Sequence, residues 1–230
     1  TAFNSGNVLG VNNNLRTHNK SKINFNLEYS DRNFSSILSL NFDDHNKLIF
    51  DNSFANYEKG IANFNIGKID RNWSFSKKSS LILSSNSRPL EAISLNLENR
   101  FKTSWLPSTA NWSVELINGS TKNSYNNKNS MLTGARITFS PLENLNFEFL
   151  QTVQWGDQND KVYSSNIDVL IPINTNIGKS AHINKMAGFG LSYSVPLGEN
   201  HYRFYSQTIG EDEAGSLPSC LSWMAGLELT

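Results

Sequence analysis

Apolar and polar residues alternate along much of the chain from residue 22 onward. In segment 23–29, Ile, Phe, Leu and Tyr take every second position, and Asn, Asn and Glu take the positions between them. Side chains of a β-strand point alternately to the two faces of the sheet, so this period of two predicts a strand with one apolar and one wet face. No segment of convincing length shows the apolar spacing of a helix.

The same pattern predicts about eleven or twelve strands of about ten residues each, separated by polar turns. Two hairpins are the clearest, with turns at 58–60 and 140–144. The predicted strands cover 22–29, 34–42, 48–57, 61–69, 93–97, 110–117, 131–139, 145–153, 186–195, 202–209 and 223–229. The Gly- and Asn-rich residues 1–21 are predicted to be loop, and residues 157–184 a long polar loop.

A soluble β-sandwich and a transmembrane β-barrel both fit this meander. The wet face of many strands carries Asn, Ser, Gln and charge, whereas a sandwich needs two apolar inner faces. Short turns alternate with long loops, as in outer-membrane barrels. Aromatic residues lie near predicted strand ends, as in an interfacial girdle: Tyr29, Phe42, Tyr57, Trp73, Trp105, Trp155, Tyr193 and Trp223. We therefore predict an all-β, antiparallel up-and-down transmembrane β-barrel, with the soluble sandwich as the alternative.

Composition narrows the classes of function. The chain has 230 residues and a formal net charge of +0, so its bulk charge predicts no nucleic-acid partner. No apolar run approaches the roughly 20 residues of a membrane-spanning helix. Cys220 is the single cysteine, which excludes an internal disulfide and a cysteine-rich metal site. The four histidines are scattered, and no zinc-protease, nucleophile-elbow or phosphate-loop motif is present, so we predict a protein that is not an enzyme and has no cofactor.

The segment 70–97 concentrates the polar chemistry of the chain. It opens with Asp70, Arg71 and Trp73, passes a short apolar run at 81–83, and reaches a turn-like S-S-N-S-R-P at 84–89. Alternation then returns at 93–97. We predict a strand, a charged excursion into the barrel and a returning strand of the barrel wall.

Three motifs resemble the capsule assembly Wzi family. D-R-N-W at 70–73 with S-L-I-L-S-S-N-S-R-P at 80–89 is similar to the family's D-R-W-W and S-L-I-L-S-x-N-A-R-P box. N-K-M-A-G-F at 184–189 is similar to its N-Q-L-A-G-F. Y-S-Q-T-I-G-E-D-E-A-G-S-L-P-S at 205–219 is similar to its Y-G-Q-Y-I-G-E-D-E-A-G-G-L-P-S. The order and spacing agree, although S-F-S-K-K at 74–78 replaces the family's G-P-G-W-D.

The resemblance implies an outer-membrane β-barrel of about eighteen strands, partly filled by a plug. Residues 1–230 would form a single barrel domain truncated at both ends. The implied function is that of a surface lectin, located in the cell outer membrane, which binds capsular polysaccharide and helps attach the capsule. The implied partners are this polysaccharide and outer-membrane lipid, and the protein is expected to be a monomer. A porin-like channel for small solutes and a soluble carbohydrate-binding module are the alternatives.

Charged and aromatic residues supply the candidate ligand contacts. Inward charges at 70, 71 and 88 would pair with one another and brace the plug, or would line a sugar-contacting surface. The acids at 211–213 would bind a hard cation or form a solvated turn, and without calcium-loop spacing we predict no metal site. Trp105, Trp112, Trp155 and Tyr163 are candidates for stacking on sugars. The predicted ligand-binding residues are Asp70, Arg71, Trp73, Arg88, Trp155, Glu211, Asp212 and Glu213.

Overall fold

The computed structural model of the protein describes residues 7–10, 24–42, 48–104, 106–122, 129–155, 184–198, 200–214 and 217–229. Over these ranges the regular structure is thirteen β-strands, and no helix there is long and apolar enough to cross a membrane. The strands are β1 (Asn7–Gly10), β2 (Asn24–Ser30), β3 (Phe34–Phe42), β4 (Leu48–Ile49), β5 (Phe54–Lys59), β6 (Ala62–Lys68), β7 (Glu91–Phe101), β8 (Ala110–Lys122), β9 (Asn129–Leu142), β10 (Leu145–Trp155), β11 (Asn184–Leu197), β12 (Asn200–Ala214) and β13 (Leu217–Leu229).

All the strands belong to one antiparallel sheet in which neighbours in sequence are neighbours in space. The order is β1-β2-β3-β5-β6-β7-β8-β9-β10-β11-β12-β13, and β4 pairs with β3. Both predicted hairpins form, with Lys59 opposite Ala62 and Leu142 opposite Leu145. The predicted all-β, antiparallel meander is therefore confirmed.

The two faces of the sheet differ sharply in polarity. The face that we call the outer face carries large, exposed apolar side chains, such as Ile66 (58% exposed), Phe149 (58%) and Trp223 (69%). The opposite, inner face buries polar side chains, among them Ser94, Glu148 and Gln207. A soluble sandwich needs two sheets packed on apolar faces, whereas the described strands form one sheet with its apolar face turned outward.

The connections differ between the two ends of the sheet. At the short-turn end, the strands are joined by residues 31–33, 60–61, 102–109, 143–144 and 198–199. At the long-connection end they are joined by residues 43–53, which include the short β4, and by residues 69–90, 123–128, 156–183 and 215–216. Most of this second set is longer, which agrees with the predicted asymmetry of a barrel. The predicted loop 157–184 lies outside the described residues except Asn184, which begins β11.

Two local predictions are corrected by the structure. Residues 1–21 were predicted to be loop, but Asn7–Gly10 form β1 because the exposed edge of β2 supplies hydrogen-bond partners, with Asn7 opposite Tyr29. The predicted strand 48–57 is interrupted between β4 and β5. Asn52 adopts a φ of 63°, in the left-handed region that Asn tolerates better than most residues and that ends an extended strand.

Residues 69–90, which we call the strap, lie against the inner face of the sheet. None of them is in a strand, including the apolar run Leu81–Leu83, and the predicted returning strand 93–97 lies within β7. The reason is that β6 already pairs directly with β7, with Ala62 opposite Leu97, and the wall is continuous without the strap. The apolar run 81–83 instead packs on the buried cluster around Trp73.

Candidate functional site

Trp73 fixes the strap to the inner face. Its side chain is 1% exposed and packs in a cluster with Ile117, Leu150 and Ile209, which come from β8, β10 and β12. The indole Nε1 donates a hydrogen bond to Glu115 Oε2 at 2.8 Å. Burial of the ring and pairing of its only polar atom both favour this position. Trp73 is therefore an anchor of the strap, not a strand-end aromatic.

A glycine in the wall makes room for this ring. A Cβ built on Gly134 would lie 2.8 Å from Trp73 Cη2, 3.0 Å from Trp73 Cζ3 and 3.1 Å from Thr152 Cγ2. Contacts as short as these force neighbouring groups to shift, and the buried indole has little space to do so.

We expect Gly134→Ala to weaken docking of the strap by about 1–3 kcal/mol, because the added methyl group overpacks the Trp73 pocket. Near-ultraviolet circular dichroism of the folded protein in detergent reports the packing of the indole. Ala135→Val is the matched control, since residue 135 points to the opposite face. The interpretation is wrong when the Trp73 signal survives Gly134→Ala intact.

Gln207 binds the strap backbone at two places. Its Oε1 accepts from Leu81 N at 2.8 Å, and its Nε2 donates to Trp73 O at 2.6 Å and to Glu148 Oε1 at 3.0 Å. Glu148 is 0% exposed and is held by Arg136 at 2.7 Å. A buried carboxylate needs such partners, because an unpaired buried charge is costly. The far part of the strap reaches β13, where Lys77 N donates to Glu228 Oε1 at 3.1 Å.

The predicted inward charges brace the strap, but their partners differ from those predicted. Arg71 Nε lies 3.1 Å from Glu115 Oε1, and its Nη2 donates to Ser94 Oγ at 3.0 Å. Arg88 forms a two-pronged pair with Asp51, at 2.8 and 3.1 Å. Asp70 Oδ2 accepts from Asn52 Nδ2 at 3.0 Å. The strap is thus tied to the wall through Glu115, and to the connection before β5 through Asp51 and Asn52.

A cavity of about 690 Å³, which we call the mouth cavity, opens between the strap and the wall at the long-connection end. It brings together three of the predicted residues, Asp70, Arg71 and Arg88. Its rim is formed by residues at the ends of β6, β7 and β8: Lys68, Glu91 and Ser120. The volume lies within the range of roughly 300–1,000 Å³ that small-molecule sites occupy.

The other predicted residues lie at the same end of the sheet but on other strands. Trp155 ends β10, and residues 211–213 lie on β12, where Glu211 is exposed. The side chains of Trp155, Asp212 and Glu213 are outside the description, and the described lining of the mouth cavity includes none of these four residues. Trp105 and Tyr163 also lie outside the described residues. Trp112 is on β8 near the short-turn end, opposite Phe139.

Sequence reasoning did not single out the residues that hold the strap, which are Asp51 in the connection before β5 and, on the wall, Glu115, Arg136, Glu148 and Gln207. Those on strands could have been found from the sequence, because they occupy the polar positions of alternating segments. Among the described residues, no three His, Cys, Asp or Glu side chains gather as metal ligands.

Comparison with known proteins identifies the family of the chain. The family model described as capsule assembly protein Wzi matches residues 1–230. The chain belongs to this Wzi family. The resemblance seen in the three motifs is thereby confirmed.

Two individual similarities agree with Wzi family membership. The chain is 27% identical over 161 residues to an uncharacterized 55.8 kDa protein in the cps region of Klebsiella pneumoniae, covering 68% of this chain and 32% of that protein. A solved structure matches with a TM-score of 0.71 and 21% identity, covering 90% of this chain and 46% of that one. That structure is described as Wzi, an outer-membrane protein involved in group 1 capsule assembly in Escherichia coli and a carbohydrate-binding β-barrel.

The coverage values show that the chain corresponds to only part of each of these two proteins. It spans about a third of the length of the curated relative and under half of the solved chain. The structural likeness shows that the single sheet has the fold of part of a β-barrel.

Proposed function

We propose that the protein is an outer-membrane β-barrel lectin that binds capsular polysaccharide and helps to attach the capsule to the cell surface. The observation that carries the proposal is membership of the capsule assembly family over residues 1–230. The proposed role is binding without catalysis. The carbohydrate-binding description of the structural neighbour supports the ligand class.

The polarity of the sheet supports a membrane location. Outer-membrane barrels turn apolar side chains to lipid and polar side chains to the lumen, and their long loops face outward from the cell. The exposed apolar residues of the outer face fit lipid as the partner. A single copy satisfies this arrangement, because the outer face meets lipid rather than a second protein.

We propose that the mouth cavity is one contact for the polysaccharide. It opens at the long-connection end, which faces the capsule in this orientation, and Arg88 stands there 63% exposed at its side chain. Guanidinium and carboxylate groups bind sugar hydroxyls through charge-assisted hydrogen bonds. Asp70 and Arg71 form the floor that the strap contributes.

We expect Arg88→Gln to weaken binding of capsular polysaccharide by about three- to tenfold, because one charge-assisted contact at an exposed site is lost. Liposomes carrying the protein are mixed with purified polysaccharide, and the bound fraction is measured. Lys59→Gln, an exposed cation at the short-turn end, is the matched control and leaves binding unchanged. Equal binding of encapsulated and capsule-deficient cells by these liposomes would contradict the lectin function itself.

The porin-like alternative makes a different prediction. A channel requires a continuous path through the lumen, whereas the strap crosses the inner face from Glu115 on β8 to Glu228 on β13. Planar-bilayer recordings of the wild-type protein distinguish the two functions, since a lectin closed by its strap is nearly silent.

A further inference from the structure

A second cavity lies beside the strap, farther from the long-connection end. We call it the amide cavity; its volume is about 320 Å³. Its wall is a row of inward side chains at one height of four neighbouring strands, Asn63, Asn96, Glu115 and Arg136, which are paired in register. Asn63 precedes Lys68 of the mouth cavity by about 17 Å along β6, at about 3.4 Å per residue.

The wall changes character between the Trp73 pocket and the amide cavity. Beneath Trp73 the wall offers apolar or small residues, Ile117, Leu150 and Gly134. In the amide cavity, β8 and β9 offer Glu115 and Arg136, which already serve the strap: Glu115 accepts hydrogen bonds from Arg71 and Trp73, and Arg136 lies over the Phe75 ring. The neighbouring β6 and β7 offer the carboxamides of Asn63 and Asn96, which make no hydrogen bond to the strap in the described ranges. These two carboxamides indicate a polar occupant of this space.

Hydrogen-bonding capacity is left over in this row. Asn65 Nδ2 donates to Asn63 Oδ1 at 2.7 Å, whereas the carboxamide of Asn96 makes no hydrogen bond to any residue in the described ranges. Asn96 is partly exposed and lines the cavity, so a ligand hydroxyl in this space would supply its hydrogen-bond partners.

The charges at the cavity are matched to each other. Arg71 pairs with Glu115, and Arg136 pairs with Glu148, so the guanidinium groups are not left to attract an anion. A carboxamide both donates and accepts, which suits the neighbouring hydroxyls of a sugar ring. Phe54 adds aromatic surface to the lining, against which the C–H face of such a ring packs.

We propose that the amide cavity binds an uncharged, polyhydroxylated ligand of the size of one pyranose unit, with Asn96 as its principal hydrogen-bonding residue. The choice of a carbohydrate among such ligands rests on the proposed function. The site itself is separate from the mouth cavity, because only Ile69, Asp70 and Arg71 line both.

The test uses free glucose, galactose and mannose as probes. The protein is purified in lauryldimethylamine oxide, a detergent without a sugar headgroup, and binding is followed by saturation-transfer NMR. The wild-type protein takes up at least one probe, and Asn96→Leu, which keeps the volume and removes the amide, weakens that binding tenfold or more. Asn26→Leu, the same change at an inward position of β2 away from the cavity, leaves it unchanged.

Two further variants distinguish a loss of probe binding from misfolding and from a failure of the proposed function. Heat-modifiable gel mobility identifies folded protein, and Asn96→Ser replaces Asn96→Leu when the latter does not fold. Arg88→Gln weakens polysaccharide binding but not probe binding, so failure of one site leaves the other testable. The inference is overturned when no probe binds to the wild-type protein, as for a cavity that holds water only, or when neither Asn96 variant changes the affinity.

Discussion

Trp73→Ala is expected to release the strap and to raise its rate of cleavage by trypsin by about a hundredfold to several thousandfold. Truncation of a buried Trp costs about 3–5 kcal/mol, and each 1.4 kcal/mol changes an equilibrium tenfold. Trp73 joins three strands of the wall through its cluster with Ile117, Leu150 and Ile209. Loss of the indole also removes its hydrogen bond to Glu115.

The strap opens independently of the sheet because it has no ladder of its own. Side chains of the wall, chiefly Gln207 and Glu228, hold its backbone in place of strand pairing. Local opening of such a segment needs less free energy than unfolding of the paired strands. Lys77 and Lys78 are already exposed, so cleavage after them waits only for release of the backbone.

Cleavage is followed by mass spectrometry of the fragments from folded protein in detergent, with trypsin limiting. In this regime the rate follows the open population. Trp223→Ala is the matched control, since Trp223 is 69% exposed on the outer face of β13. Equal cleavage rates for the two variants would show that Trp73 does not anchor the strap.

The strands were predictable because apolar and polar residues alternate along them, with the polar residues on the inner face of the sheet. Ile137 and Phe149, for example, stand opposite each other in β9 and β10, as the pattern around the turn at 140–144 required. Pairing between sequence neighbours needed no further information, since a meander joins each strand to the next. The resemblance then supplied what periodicity left open, the choice between sandwich and barrel.

The strap was predicted to turn inward but not to lie across so many strands. Its apolar run Leu81–Leu83 has the composition of a strand, and the sheet has no vacant position for it between β6 and β7. Only the tertiary structure shows that Gly134 and Gln207 prepare a place for it. These residues are far apart in sequence, and no local pattern connects them.

The ion-pair partners of the charged residues were likewise not predictable from the sequence. Polarity and the inward direction of Arg71 followed from its position between apolar segments, but its partner Glu115 is on β8 and looks like any wet residue of a strand. For Arg88 the partner is Asp51, in the connection before β5. Ion pairs depend on register across the sheet, which alternation alone does not fix. Their role toward a sugar stays a prediction.

Phe149→Arg is expected to lower the free energy of unfolding by about 2–4 kcal/mol, the cost of Arg at the lipid face near the middle of a bilayer. Phe149 is near the centre of β10, 58% exposed on the outer face, with Ile137 and Phe189 as its cross-strand neighbours. If that face met water, the same change would stay within about 0.5 kcal/mol, because exposed substitutions usually do.

The measurement is urea unfolding in lipid vesicles, with the wild-type protein and Glu143→Arg compared in parallel. Glu143 is exposed in the turn between β9 and β10, where an added Arg meets the interface and costs about 0–1 kcal/mol. Both variants gain an Arg at an exposed site, so a difference between them measures depth in the bilayer. Equal stability of the two variants would place the outer face in water and would remove the membrane from the proposed function.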